Sequence, residues 1–342
     1  MRGKSLIALL IVTAAALVLA LFVGRGAGLP RNDPLVGTPV LPEVGKRIGD
    51  IGRLTVVHGD SKTTLTRQGD AWVVEERGNY AADGDKVRQA ILGLAELSYV
   101  EPKTRKPDLY SRLEIEDAGK KGGKSTLVTV TDEKGSLLGE LVTGKRRVDQ
   151  LGGGNDGIYV RKPGDAQSWL ARGTLELAGD TPPWLAKKLI DLPAKEVKEA
   201  VFTAADGATF TIKRDKPEDA LAIADMPAGR KLKDNNPLDD PAGALGALEL
   251  NDVRPAKDFD FPKEGVATAR YTSFAGLTVT LSEAKKDGVD WVRLAAAGEG
   301  DAKAKADELN GKFSPWVYAI PSFKAKALTT KLADLLADQK GS

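Results

Sequence analysis

The sequence predicts an α+β protein: an N-terminal transmembrane helix followed by two tandem repeats of mainly antiparallel sheet with packed helices. Three observations carry this. An uncharged, mostly apolar run fills Ser5–Val23. Beyond it, short segments rich in Thr, Val and Trp come in runs broken by single helical stripes, the pattern of antiparallel sheet rather than of alternating βαβ units. And the chain repeats itself weakly: Leu92-Gly93-Leu94-Ala95-Glu96-Leu97-Ser98-Tyr99-Val100-Glu101-Pro102 is answered by Leu245-Gly246-Ala247-Leu248-Glu249-Leu250-Asn251-Asp252-Val253-Arg254-Pro255, with Leu, Gly, Glu, Leu, Val and Pro in register.

The first element is the anchor, residues 1–24. As a helix, Ser5–Val23 spans about 28 Å, close to the hydrocarbon thickness of a bilayer, and a helix satisfies its own backbone groups there. Arg2, Lys4 and the α-amino group precede the run; Arg25 and Arg31 follow it, offset partly by Asp33. That bias places the N-terminus inside and the bulk outside, a single pass through the cytoplasmic membrane with the body in the periplasm. A cleaved signal peptide is the competing reading, although its apolar core is usually shorter, about 7–15 residues. The chain contains no cysteine, so there is no thiol to carry a lipid. Residues 25–47, with Pro30, Pro34, Pro39 and Pro42 among several glycines, read as an extended linker.

The first repeat is assigned to 48–195 and the second to 196–340. Strands are expected at Leu54–His58, Thr63–Arg67 and Trp72–Glu75, then at Ala200–Thr203 and Thr209–Arg214, with turn signals at His58-Gly59-Asp60 and Asp206-Gly207. A helix follows in each repeat. In the first, Val87, Ala90, Ile91, Leu94 and Leu97 form its apolar stripe, and Asp83 or Asp85 caps it. In the second, Asp240 is the expected N-cap before Pro241. Further strands are expected at Thr126–Thr131, Leu137–Thr143 and Ile158–Lys162, then at Ala269–Thr272, Leu277–Leu281 and Trp291–Leu294. Tyr159-Val160-Arg161 answers Trp291-Val292-Arg293 in this stretch. A terminal helix closes each repeat, near Trp184–Ile190 and Ala325–Leu336, where Lys188–Leu192 answers Lys331–Leu335.

Composition removes several function classes. The formal net charge is +2, from 50 basic and 48 acidic residues, too balanced for a nucleic-acid binder. Zero cysteines excludes disulfides, thiol catalysis and cysteine metal sites, and a single histidine, His58, cannot build a histidine-rich metal site.

An Ile51…Leu54…Val56 strand, a "W.V" strand at Trp72-Val73-Val74, the Leu94–Pro102 stretch, a "Y.RL" segment at Tyr110–Leu113 and a "Y.R" strand at Tyr159–Arg161 together resemble the bacterial domain-of-unknown-function family DUF4340, from about Ile48 to Leu336. The resemblance implies an envelope protein whose genes commonly sit beside those of gliding-motility-type ABC transporters. It implies no activity, and it brings no catalytic, cofactor-binding or metal-ligating residue onto this chain.

The remaining motifs have plain explanations. Ala118–Ser125 spells a P-loop with Ala in the first glycine's place, but a P-loop opens a helix, and Ser125–Val130 reads as a strand. The oxygen-rich segment Asp234–Asp240 lacks the Gly and Glu of a calcium-binding loop. Trp72, Trp169, Trp184, Trp291 and Trp316 are expected in the core rather than on a sugar-stacking platform. Lys103–Lys106, Lys120-Lys121 and Lys145–Arg147 are expected in solvated loops, and Gly152–Gly154 in another. The expectation is therefore a non-enzymatic accessory or scaffold protein without cofactor, metal or nucleotide, whose partner is a permease or auxiliary subunit of an ABC-type transporter. An envelope glycan- or lipid-binding module is the alternative.

Overall fold

The computed structural model describes residues 33–119, 121–148, 157–234 and 236–337. The Ser5–Val23 run lies outside them. Among the described residues no helix is long and apolar enough to cross a membrane.

The chain enters through a short helix, α1 (Pro42–Lys46), and builds four antiparallel strands: β1 (Ile51–His58), β2 (Ser61–Gln68), β3 (Ala71–Val74) and β4 (Tyr80–Ala81). The helix α2 (Gly84–Glu96) follows, then β5 (Ser98–Pro102), a four-residue helix α3 (Tyr110–Leu113), and β6 (Thr126–Asp132), β7 (Leu137–Arg147), β8 (Gly157–Arg161) and β9 (Ser168–Arg172). These nine strands form one sheet in the order β4-β3-β2-β1-β6-β7-β8-β9-β5. A short strand β10 (Lys188–Ile190) leads to the second half, which runs β11 (Val197–Thr203), β12 (Thr209–Lys213), β13 (Ala222–Ile223), helix α4 (Asp239–Ala242), β14 (Leu248–Glu249), β15 (Asp252–Pro255), β16 (Ala267–Ser273), β17 (Thr278–Lys286) and β18 (Val289–Ala297). It ends with helix α5 (Asp301–Phe313), β19 (Trp316–Ala319), α6 (Ser322–Leu328) and α7 (Leu332–Leu335). Its eight-stranded sheet has the order β13-β12-β11-β16-β17-β18-β19-β15. Strand for strand this is the order of the first sheet without β4.

Physical reasons for the main elements are local. The β1 strand alternates Leu54 and Val56 inward, and Leu54 pairs with Leu65 on one side and Val130 on the other. On α2, Val87, Ala90, Ile91 and Leu94 are buried, and the Asp83 side chain accepts from the backbone N–H groups of Asp85 and Lys86, both at 3.2 Å. This is the cap expected from the sequence, satisfying two of the helix's free donors.

One buried cluster runs through both halves, from Leu54, Val74 and Leu94 to Leu248, Phe313 and Tyr318. Strand β10 pairs with β14 across the junction, Lys188 opposite Glu249. The β4 end of the first sheet meets the β15–β19 edge of the second. There Arg77 reaches both carboxylate oxygens of Asp252, at 2.6 and 3.1 Å, and the Tyr80 ring stands edge-on to Trp316 at 5.1 Å.

Four expectations are corrected. Residues from Gly37 to Lys46 are not a spacer. The Gly37 and Val40 N–H groups donate to Tyr99 and Leu97 carbonyls, and Val40, Leu41 and Val44 are buried, so this stretch finishes the open edge of β5. The helix expected at Trp184–Ile190 is a single 3₁₀ turn, Pro182–Trp184, followed by strand β10; two prolines at its start leave no donor there. Lys188–Leu192 and Lys331–Leu335 thus hold different structures, a strand and a helix. Helix α4 begins at Asp239, so Asp240 lies inside its first turn rather than at the cap. Finally, β9 and β19 are strands where none was expected; three or more residues in each are buried in a row, so they lack the alternation that signals a half-buried strand.

Candidate functional site

Both outer faces of the molecule carry the same device. After β5 the chain returns across the first sheet and places Tyr110 against β8, where the Arg161 guanidinium lies 4.7 Å from the ring centre. After β15 the chain returns across the second sheet and places Phe261 against β18, where Arg293 lies 4.6 Å from that ring. A guanidinium over an aromatic face is held by the ring quadrupole. The two arginines are the repeat-equivalent positions of Tyr159-Val160-Arg161 and Trp291-Val292-Arg293. Their surroundings differ. Arg161 is only 4% exposed and donates to the Ile115 carbonyl at 3.1 Å, the Asp165 carbonyl at 3.3 Å and Asp117 Oδ1 at 2.5 Å. Tyr110 Oη in turn donates to the Ala166 carbonyl at 2.6 Å. Arg293 is exposed. The "Y.RL" and "Y.R" motifs are therefore two halves of one packing contact.

Several clefts of about 490–670 Å³ open among the described residues, and three of them lie at the quoted motifs or at the junction of the halves. The first, about 490 Å³, lies between α2 and the face of the first sheet, with Lys86, Gln89, Thr126, Arg146, Leu175 and Trp184 in its wall. His58 stands beside it, its Nδ1 3.0 Å from Thr126 Oγ1. A hydroxyl beside an imidazole is half of a nucleophilic arrangement, which also needs a group orienting the base and donors for an oxyanion. Here His58 and Thr126 are direct partners across β1 and β6, which accounts for the contact. Lys86 Nζ donates to the carbonyl of Pro183, another wall residue of the same cleft, at 2.9 Å.

The second cleft, about 610 Å³, lies between α5 and the β10 segment, with Lys188, Asp191, Glu196, Lys305, Glu308 and Lys312 at its rim. Its charges fasten the fold. Lys312 Nζ donates to the Lys188 and Leu189 carbonyls at 2.9 and 3.1 Å, and burial holds its pKa below the usual lysine value. The Asp191 carboxylate accepts from the Ala247 N–H at 2.9 Å, which with Lys188 holds it below the usual carboxylate range. A third groove, about 520 Å³, follows the junction of the halves between Gly78, Pro255 and Trp316.

The sequence motifs fall apart as functional constellations. Ser125 is buried and leads into strand β6, so the P-loop spelling has no helix behind it; Lys120 lies outside the described residues. Asp239 and Asp240 open α4, Asn235 lies outside the described residues, and among those described no three His, Asp or Glu side chains are grouped to hold a metal. Trp169, Trp184 and Trp291 are buried, and Trp72 and Trp316 pack half-buried against the central core. Lys103 pairs with Glu101 at 2.6 Å, and Arg105 donates to Gln167 at 2.8 Å. Arg146 faces Glu176 at 3.9 Å, with both side chains largely exposed. Gly152–Gly154 lie outside the described residues.

The architecture therefore defines a class: an α+β protein built on two large antiparallel sheets, whose Tyr110 and Arg161 motifs meet in a packing contact. The model of a family described as a domain of unknown function, DUF4340, matches residues 72–263, more than half of the 342 residues, and the chain belongs to that family. The matched region runs from β3 through the Phe261 segment and so includes one complete arginine–aromatic contact and the ring of the other. No curated protein and no solved structure matches the chain.

Proposed function

We propose that this is a membrane-anchored extracytoplasmic protein that works without catalysis, as an accessory or scaffold component of an ABC-type transport complex. The observation that carries the reading is the short sequence separation between an apolar run and a folded body. Only residues 24–32 separate Ser5–Val23 from the described chain, which is hydrogen-bonded onto β5 within a few residues of Asp33. Anchoring confines the body to the membrane surface and raises its effective concentration there, so a modest interface suffices for a membrane partner. The transporter context rests on what the family resemblance implies. The common strand order of the two sheets supports an origin by tandem duplication, in two repeats of the same topology.

The glycan-binding alternative draws no support from the tryptophans, since each of the five packs into the interior to some degree.

The test is an affinity pull-down of tagged full-length protein from crosslinked membranes, with a fragment of residues 1–32 as the control. Enrichment of permease or auxiliary subunits by the full-length protein alone supports the reading and places the interface on the body. Recovery of glycan or lipid with no protein partner rejects it.

A further inference from the structure

The largest concentration of exposed apolar side chains surrounds the segment that enters the body from the N-terminal run. Leu35 and Val36 precede it at 45% exposed each, and Ile48 follows α1 at 40%. Leu92, also 40% exposed, is one turn of α2 from Ala95, whose carbonyl oxygen would lie 3.6 Å from a methyl group placed on Gly45 of α1. Leu137, 62% exposed, stands two residues along β7 from Gly139, where a methyl group would meet Val44 at 3.0 Å and Leu41 at 3.1 Å. The other large exposed apolar residues, Val148, Met226, Val289 and Phe323, are scattered. Single exposed apolar residues need no explanation, but a group of five around one short segment does.

Several charges beside these side chains are engaged in ion pairs. Lys46 pairs with Glu43 at 2.9 Å, and Arg47 pairs with Asp50 at 2.8 Å and with Asp132 at 3.0 Å. Those five groups are two cations and three carboxylates, so the paired set beside the apolar side chains carries no net positive charge. Its position is limited by covalent geometry, since the nine residues between Val23 and Asp33 reach at most about 30 Å when fully extended. A surface held so close to an anchored run, with exposed apolar side chains among paired charges, has the chemistry of an interfacial contact.

We infer that this face, formed by Leu35, Val36, Ile48, Leu92 and Leu137, rests on the lipid surface of the membrane that holds the Ser5–Val23 run. The inference depends on the anchored reading above. It orients the body: the entering segment from Leu35 to Ile48, the exposed side of α2 at Leu92 and the β6–β7 hairpin end at Leu137 face the bilayer. Because the paired set carries no net positive charge, the contact does not require anionic lipid.

The chain has no cysteine, so one thiol introduced by mutation reports one place. Full-length Leu17→Cys, Leu137→Cys and Val289→Cys variants, each carrying a polarity-sensitive fluorophore, are reconstituted into zwitterionic vesicles containing shallow spin-labelled lipid. Leu17 reports the anchor and Val289 the distal half. The expected result is quenching at Leu17 and loss of about half the emission at Leu137, the depth of an interfacial side chain, with Val289 unaffected. Quenching at Leu17 with Leu137 no different from Val289 overturns the inference and leaves the anchor intact. No quenching at Leu17 overturns the anchored reading and this inference with it. Emission at Leu137 that changes only in native membranes, and not in lipid vesicles, overturns it in favour of a protein occupant.

Discussion

The two halves share a strand order and differ in where they obtain their helices. In the first, the long helix α2 sits between β4 and β5, and a loop of a few residues joins β8 to β9. In the second, the equivalent place holds only the single turn α4, while the long helix α5 is inserted between β18 and β19. Yet both sheets have their inner face covered: Leu94 of α2 and Phe313 of α5 are fully buried in the same core. A sheet needs an apolar face covered, and it is indifferent to which connection supplies the cover. Strand order, by contrast, is fixed by cross-strand pairing, where a slip reverses every side chain.

The largest effects should come from those covers. Leu94→Ala and Phe313→Ala each leave a cavity in a fully buried site and are expected to cost about 2–5 and 3–5 kcal/mol. Because the core is continuous, urea denaturation followed by tryptophan fluorescence should show one transition, shifted by either substitution. Tryptophans lie in both halves, so two separated transitions, only one of which moves in each variant, would show that the halves fold independently despite the shared core.

The arginine–aromatic contacts sharpen the comparison. Arg161→Ala strips donors from two carbonyls and removes the cation from beneath Tyr110 in a buried site; a loss of about 2–4 kcal/mol is expected. Arg293→Ala removes an equivalent contact in solvent, where it is worth under about 1 kcal/mol. Equal losses in a denaturation series would mean that exposure is a poor guide to what these contacts do.

At the junction, Gly78 separates backbone from packing effects. It has φ +66°, and a methyl group there would approach Pro255 Cγ to 2.5 Å. Gly69 has φ +63° and open space around it. Gly69→Ala should cost about 1 kcal/mol through the backbone alone, and Gly78→Ala about 1–2 kcal/mol more if the junction is rigid. Identical costs would show that the halves yield to one another.

How far the sequence discloses this molecule depends on the element. Strands with one wet face, such as β1, β6 and β16, alternate and were legible to within a few residues. Strands β9 and β19 were not, because burial on both faces erases the alternation. Helix α5 was missed for another reason: its stripe of Ala302, Ala306, Leu309 and Phe313 has helical spacing but begins with two alanines, too small to register as an apolar face. Pro102 and Pro255, aligned in the sequence, each end an edge strand and lie opposite Trp169 and Trp316. Strands β5 and β15, which these residues end, were not among the expected strands. The Tyr110–Arg161 contact was half visible, since both of its motifs could be quoted, but pairing residues from distant segments requires the return of the chain over the sheet; Phe261 belonged to no quoted motif. The burial of Val40, Leu41 and Val44 was hidden by the prolines around them, which mark irregular backbone and say nothing of whether it packs.

The smallest expected effect isolates one atom pair in otherwise equivalent turns. The β6–β7 hairpin is closed by Asp132, whose Oδ1 accepts from the Ser136 N–H at 2.8 Å and the Lys134 N–H at 3.0 Å. The β16–β17 hairpin is closed by Ser273, whose Oγ accepts from the Leu277 N–H at 3.1 Å. Gly135 and Gly276 occupy the same position with φ +84° and +80°. Only the first closure titrates. The Ser136 N–H, with help from Arg47 and the Lys134 N–H, holds the Asp132 carboxyl below its usual range. A carboxyl depressed in the folded chain contributes stability above its unfolded pKa, and that contribution disappears as pH falls through the folded value. Acid should therefore weaken the Asp132 turn and, through Arg47, the segment that enters from the N-terminus, while leaving the Ser273 turn unchanged. Hydrogen exchange on the amides of Ser136 and Leu277 below the ordinary carboxylate range checks this: protection should fall at Ser136 alone. In Asp132→Asn, which keeps an acceptor without a titrating charge, that pH dependence should vanish, whereas Ser273→Asp should confer it on Leu277. Parallel loss at both amides in the wild type would place the acid sensitivity in the shared core rather than in either hairpin.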